Sequence, residues 1–229
     1  MSPGSFSPVA SKVGDPTATT SRAGVTASPS RPQLVLIAPL RIEALALRRG
    51  ARRSRVERVG MGMARAQVAC ARLSRVLPQG APVGLLGMAG AVDPSLRAGD
   101  LVVATELRTT DGSRPPVTLD PELAERVRSV LSRSWPRTRS GTVICSPRLV
   151  GAAERAELAG LAGGGALVCE MESAWLAPLR EQRPFVVVRA VVDRPGFEIA
   201  SLRTISAGLK AWRRLAAAAT AVEQVLSTL

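Results

Sequence analysis

With 229 residues, 46% of them apolar, the chain is long enough to bury a sizeable core, and 3% aromatics leave that core to Ala, Val, Leu and Ile. It contains no His, which excludes Ser-His-Asp and Cys-His catalysis and every His-ligated metal site; Cys70, Cys145 and Cys169 form no CxxC pair and read as thiols of a reducing compartment. The formal charge of +13 is carried almost wholly by Arg, and without interleaved aromatics, zinc-finger spacing or a helix-turn-helix it is not a nucleic-acid footprint.

Residues 1–32 are rich in Ser, Pro, Thr, Gly and Ala with no apolar period, and are expected to form a disordered tail ahead of a domain spanning 33–229. The apolar run 34–38 predicts a strand buried on both faces, and 42–49 has helical spacing. A short strand is expected at 55–59, then a Gly60-Met61-Gly62 turn and an Ala-rich helix over 64–77. Strands follow at 83–87, ending in a Gly87-Met88-Ala89-Gly90 turn, and at 101–104. A helix at 123–131, a strand at 142–145, a helix at 155–161 and a strand at 166–169 lead into a helix over 172–179. The longest β-branched run is 185–192, and an Ala-rich helix over 206–225 closes the chain. Strands alternate with helices throughout, which predicts an α/β fold: a three-layer α/β/α sandwich around a mixed, largely parallel sheet. Such sheets bind ligands outside the carboxyl ends of their strands.

Three strand ends carry acids: Glu43 after the first strand, Glu170 and Glu172 after the sixth, Asp193 at the end of the seventh, whose apolar run only Arg189 interrupts. A carboxylate at the mouth of a buried strand is partly desolvated and suited to general acid or base work, although each could equally cap a helix or pair with an Arg. The two glycine turns at the same edge let backbone approach a ligand and could hold an anion or a sugar oxygen. Neither fits GxGxxG or a P-loop.

The stretch Cys169-Glu170-Met171-Glu172-Ser173-Ala174, followed by 184–193 ending in Asp193, resembles the paired signature of the purine nucleoside phosphorylase and methylthioadenosine nucleosidase superfamily. Gly87 to Val103 resembles that family's Ala-Gly-Gly turn and Gly-Asp-Val-Val strand start, and Leu36 to Arg48 its first strand and helix. The resemblance covers about 34–225 and implies cleavage of a purine N-glycosidic bond. By position it makes Asp193 the general acid that protonates the leaving base, with Glu43 at the nucleosidase acid position. Glu172 would hold the ribose hydroxyls, with Met171 against the sugar. Leu149 and Val150 would flank the base. Met88 and Gly90 would border the attacking group. No metal or organic cofactor is implied, since an oxocarbenium-like path needs charge placement; inorganic phosphate is a co-substrate if the enzyme is a phosphorylase.

Three departures from the family stand out. Met88 occupies a place that is often Ser or Thr, Val192 stands where a Ser usually precedes the Asp, and Arg194-Pro195-Gly196 follows it. The attacking group stays open: Glu43 suits an oriented water, whereas Arg41, two residues earlier, suits a bidentate grip on phosphate.

Among relatives, the Cys-Glu-Met-Glu-Ser-Ala-Trp-Leu run and the Val-Val-Asp-Arg-Pro stretch look most like the hopanoid-associated phosphorylases, which implies adenine release from an adenosyl-hopane lipid precursor. An apolar Met88 and a basic surface would suit such a membrane-borne substrate, with peripheral membrane contact. The alternatives are a methylthioadenosine/S-adenosylhomocysteine or futalosine-type nucleosidase, and an inert nucleoside-binding protein. The family resemblance also implies a homo-oligomer. No apolar run approaches the roughly 18–20 residues that span a bilayer, and no secretory signal pattern is present, so a cytoplasmic location is expected.

Overall fold

A computed structural model of the chain describes residues 1, 33–161, 165–193 and 202–229. The tail expected over 1–32, Met1 apart, and Arg194 to Gly196 lie outside the described residues. The elements run β1 (Val35–Ala38), α1 (Arg41–Gly50), β2 (Arg55–Arg58), α2 (Met63–Val76), β3 (Val83–Ala91), β4 (Leu101–Thr109), β5 (Val117–Thr118) and α3 (Pro121–Ser134). They continue with β6 (Arg139–Cys145), α4 (Ala152–Leu161), β7 (Ala166–Glu170), α5 (Ser173–Leu176), a 3₁₀ turn (Ala177–Glu181), β8 (Phe185–Asp193) and α6 (Leu202–Leu226).

The fold is the expected α/β arrangement around a mixed sheet. β1 pairs β2 and β3 in parallel, as do β3 with β8, β4 with β6, and β6 with β7; β3–β7, β4–β5 and β4–β8 are antiparallel. The pairings β3–β8–β4–β6–β7–β3 close a ring, because β7 returns to β3 at Gly90 and Ala91. Alternation along β8 explains the layers. Phe185, Val187 and Val191 enter a cluster with α2, α5 and the 3₁₀ turn, whereas Val186, Val188 and Ala190 enter one with α1, α3 and α6. α3 starts at Pro121, two residues ahead of the expected 123, because Asp120 caps it: its side chain accepts from the amides of Glu122 and Leu123 at 3.0 Å, with Pro121 at the first turn.

Two expectations are corrected. The two-residue β5 was not foreseen; a strand that short carries no readable period. Gly87-Met88-Ala89-Gly90 is not a turn but the second half of β3. Glycine inside a strand often marks the close approach of another group, and so it does here: a Cβ on Gly87 would collide with the Arg189 guanidinium, and one on Gly90 would lie 2.5 Å from Nη1 of Arg155. The Gly60–Gly62 turn does form, both glycines having positive φ, 89° and 93°.

The register of β3 against β8 steps at its end. Ala89 faces Val191 but Gly90 faces Asp193, so Val192 is the extra residue of a bulge. Bulges re-aim the side chain that follows them; here that side chain is Asp193.

Candidate functional site

A cleft of about 220 Å³ opens over the carboxyl ends of the parallel strands. Its wall includes Glu43, Met88, Gly90, Leu149, Val150, Met171, Glu172 and Asp193, which the sequence places on five separate segments. Arg41 is the exception: it is exposed at the first residue of α1 and takes no part in the wall. A larger cavity of about 460 Å³ lies at the opposite end of β8, beside Pro184 and Phe185, and contains none of the expected residues.

Glu43 is 2% exposed. Its Oε2 accepts from the Leu40 amide at 2.7 Å, reaching back to the residue that opens α1, while its Oε1 accepts from the Met88 amide at 2.7 Å. Burial pushes its carboxyl above the usual range, and these two amides oppose that.

Glu172 follows β7. Its Oε1 accepts from the Gly62 amide at 2.8 Å, so the positive-φ turn is tied to the acid. Burial, with Glu170 nearby, pushes the Glu172 carboxyl up to about 8. The amides of the two glycine-bearing segments, which the sequence suggested for a ligand, are thus engaged by carboxylates at Gly62 and Met88.

A buried charge cluster forms part of the cleft floor through Glu170. Arg189 is completely buried; its Nη2 donates to Glu170 and, at 2.8 Å, to Ser173 Oγ. Glu170 also accepts from the amides of Glu172 (2.9 Å) and Ser173 (3.0 Å) and from the Cys145 thiol. Glu170 therefore does what a bland reading of a strand-end acid predicts: it pairs with an Arg and caps a short helix. Arg189 had one sequence signal, the break in an otherwise apolar strand. All three cysteines are free and buried.

Asp193 Oδ2 accepts from Arg155 Nη2 at 2.9 Å, and both side chains are largely buried. Burial raises the Asp193 carboxyl and Arg155 opposes it. Nothing in the sequence singles out Arg155; it sits on α4, 38 residues away. Among the described residues no group of three or more His, Cys, Asp or Glu is placed to hold a metal ion.

Residues 46–227 match the sequence profile of the Phosphorylase superfamily. The chain belongs to that superfamily. No curated protein matches it significantly. Its fold is similar to that of the Campylobacter jejuni 5′-methylthioadenosine/S-adenosylhomocysteine nucleosidase, with a TM-score of 0.71 at 17% identity over 86% of this chain and 100% of the other. The Neisseria meningitidis enzyme of the same name, in complex with methylthio-immucillin-A, gives 0.71 at 23% over 86% and 100%. The Helicobacter pylori futalosine hydrolase gives 0.70 at 16% over 86% and 98%. These likenesses establish the superfamily fold. Among the described residues no helix is long and apolar enough to cross a membrane.

Proposed function

We propose that the chain hydrolyses the N-glycosidic bond of a purine nucleoside and releases the base, most readily adenine. The observation that carries this reading is the setting of Glu43, buried in the cleft with both oxygens fixed by the Leu40 and Met88 amides. A carboxylate so held can orient and deprotonate a water. The same amides are then not available to an anion, and Arg41, the cation expected to grip phosphate, stands outside the wall.

In this scheme Glu172 holds the ribose hydroxyls by hydrogen bonds, Met171 lies against the sugar, and Leu149 and Val150 flank the base. The C1′–N9 electron pair enters the purine as Asp193 gives a proton to its imidazole-ring nitrogen. Water adds to C1′ and Glu43 takes its proton. Proton transfer of this kind contributes about 10²–10⁴ in rate. The scheme calls for no metal or organic cofactor, because what it needs is placed charge.

The 5′-substituent is read from the rim. Leu40, Met61 and Leu149 border the cleft and are 37%, 48% and 65% exposed. An apolar group fits them, a methylthio group as in the substrates named for the structural neighbours or, as a second reading, the longer lipid chain of an adenosyl-hopane. A second copy of the chain closing the cleft would cover the same side chains.

The test is adenine release from methylthioadenosine and from a long-chain 5′-alkyl adenosine, each with and without phosphate, with Asp193→Asn as control. Phosphate-independent release from methylthioadenosine supports the hydrolase; preference for the long chain supports the lipid reading. A strict phosphate requirement overturns water as the attacking group. Tight adenosine binding with no release by the folded protein leaves an inert binder.

A further inference from the structure

We infer that Arg155 is a positioning residue for Asp193: it holds one carboxylate oxygen and leaves the other to the base, which sets both the aim and the acid strength of that group. This rests on Asp193 being the general acid of the hydrolase proposed above.

The two oxygens of Asp193 are not equivalent. Oδ2 accepts from Arg155 Nη2 at 2.9 Å. Oδ1 is buried and has no hydrogen-bond partner among the described residues. A buried acceptor without a partner is costly, about 1–3 kcal/mol, and that cost vanishes if Oδ1 carries the proton and offers it to a ligand. The lone oxygen belongs to a residue in the cleft wall, so the geometry separates an anchored oxygen from a reactive one.

The chain makes room for this arrangement at two places. The bulge at Val192 sets Asp193 opposite Gly90, and a Cβ at Gly90 would lie 2.5 Å from Nη1 and 2.8 Å from Cζ of Arg155. The guanidinium therefore occupies the space that any side chain at 90 would fill. Val192 offers the carboxylate no side-chain hydrogen bond, so the anchoring donor comes from α4 instead. The other ionisable groups lining the cleft are Glu43 of α1, Arg148 ahead of α4, and Cys169, Glu170 and Glu172 at the end of β7; of all these side chains Arg155 alone pairs with Asp193 among the described residues.

The consequence follows from proton balance. As the C1′–N9 bond breaks, the proton on Oδ1 passes to the purine nitrogen and Asp193 is left as a carboxylate. Arg155 stabilises that product, so it makes Asp193 the stronger acid. An opposite charge at this range lowers a carboxyl by roughly 1–3 pH units. Without it the acid holds its proton to higher pH but gives it up less readily.

The experiment compares wild type, Arg155→Met and Arg155→Lys. One readout is the pH profile of adenine release from methylthioadenosine. The other is the titration of Asp193 by ¹³C-carboxyl NMR, its resonance assigned by its loss in Asp193→Asn. The Met variant is expected to move the alkaline limb and the resonance to higher pH while kcat falls about tenfold or more, within the 10²–10⁴ that acid catalysis contributes. KM should change less than kcat, and Lys should return the limb toward its original position. A merely structural defect lowers kcat without shifting either titration upward. Should the Met variant fail to fold, Arg155→Gln, which keeps a donor and loses the charge, carries the same test. A resonance unmoved in a folded Met or Gln variant overturns the proposal. A folded wild type that releases no base sinks the hydrolase reading instead, and the resonance still decides whether Arg155 controls Asp193.

Discussion

Glu43 of α1 and Met88 of β3 meet through the Met88 amide, which donates to Glu43 Oε1 at 2.7 Å. The contact runs through the Met88 backbone, so it does not depend on the identity of the side chain at 88. It also joins the first helix to the central strand at the cleft floor, where the acid must keep one orientation. Glu43→Gln substitutes an amide that can accept only one of the two N–H groups now satisfied. Base release should fall by about 10²–10⁴. Stability should fall by about 1–3 kcal/mol from the orphaned donor. Steady-state rates and a urea titration check the two numbers separately.

Gly90→Ala should act through Arg155. The new Cβ would crowd the guanidinium, which is the mobile end of a long side chain and can move away from Asp193. The protein is expected to fold with little loss of Tm, while kcat drops and the pH profile shifts in the direction given by Arg155→Met. An unchanged profile would show that the guanidinium keeps its place despite the methyl group.

Arg189→Met removes the cation from the buried cluster and leaves Glu170 without its charge partner. Breaking a buried pair from one side costs about 3–5 kcal/mol. Chemical denaturation should show that loss, and a hydrogen-exchange comparison should place the added opening around α5, whose first amides bind Glu170.

The pH dependence of stability should carry the mark of Glu172, whose carboxyl is raised to about 8 in the fold against an ordinary 4.5. Between those values the native protein holds a proton that the unfolded chain has released. The slope of stability with pH is then negative: the protein is favoured at the acid end of the window and loses stability as pH rises through it. Glu172→Gln can still accept from Gly62 but has no proton to lose. Tm measured from pH 5 to pH 9 should fall less steeply in the variant than in the wild type.

The elements themselves were legible in the chain because their causes are local. The β-branched run of β8 and the Ala-rich α6 announce themselves within a few residues; the Asp120-Pro121 cap of α3 is local too, but the apolar period alone puts that helix's start at 123. The acids at strand ends were legible for the same reason, since topology brings every carboxyl end of a parallel strand to one edge. What only the tertiary structure decided concerns partners. Arg41 and Glu43 stand two residues apart, about 200° around the helix at 3.6 residues per turn, so they face opposite ways; which of them faces the cleft depends on how α1 packs. The closure of β7 onto β3, the bulge at Val192 and the choice of Arg155 for Asp193 join segments distant along the chain. No periodicity encodes those choices. They follow from which side chains share a buried, low-dielectric space once the layers have packed, and there a carboxylate must find an opposite charge or take up a proton.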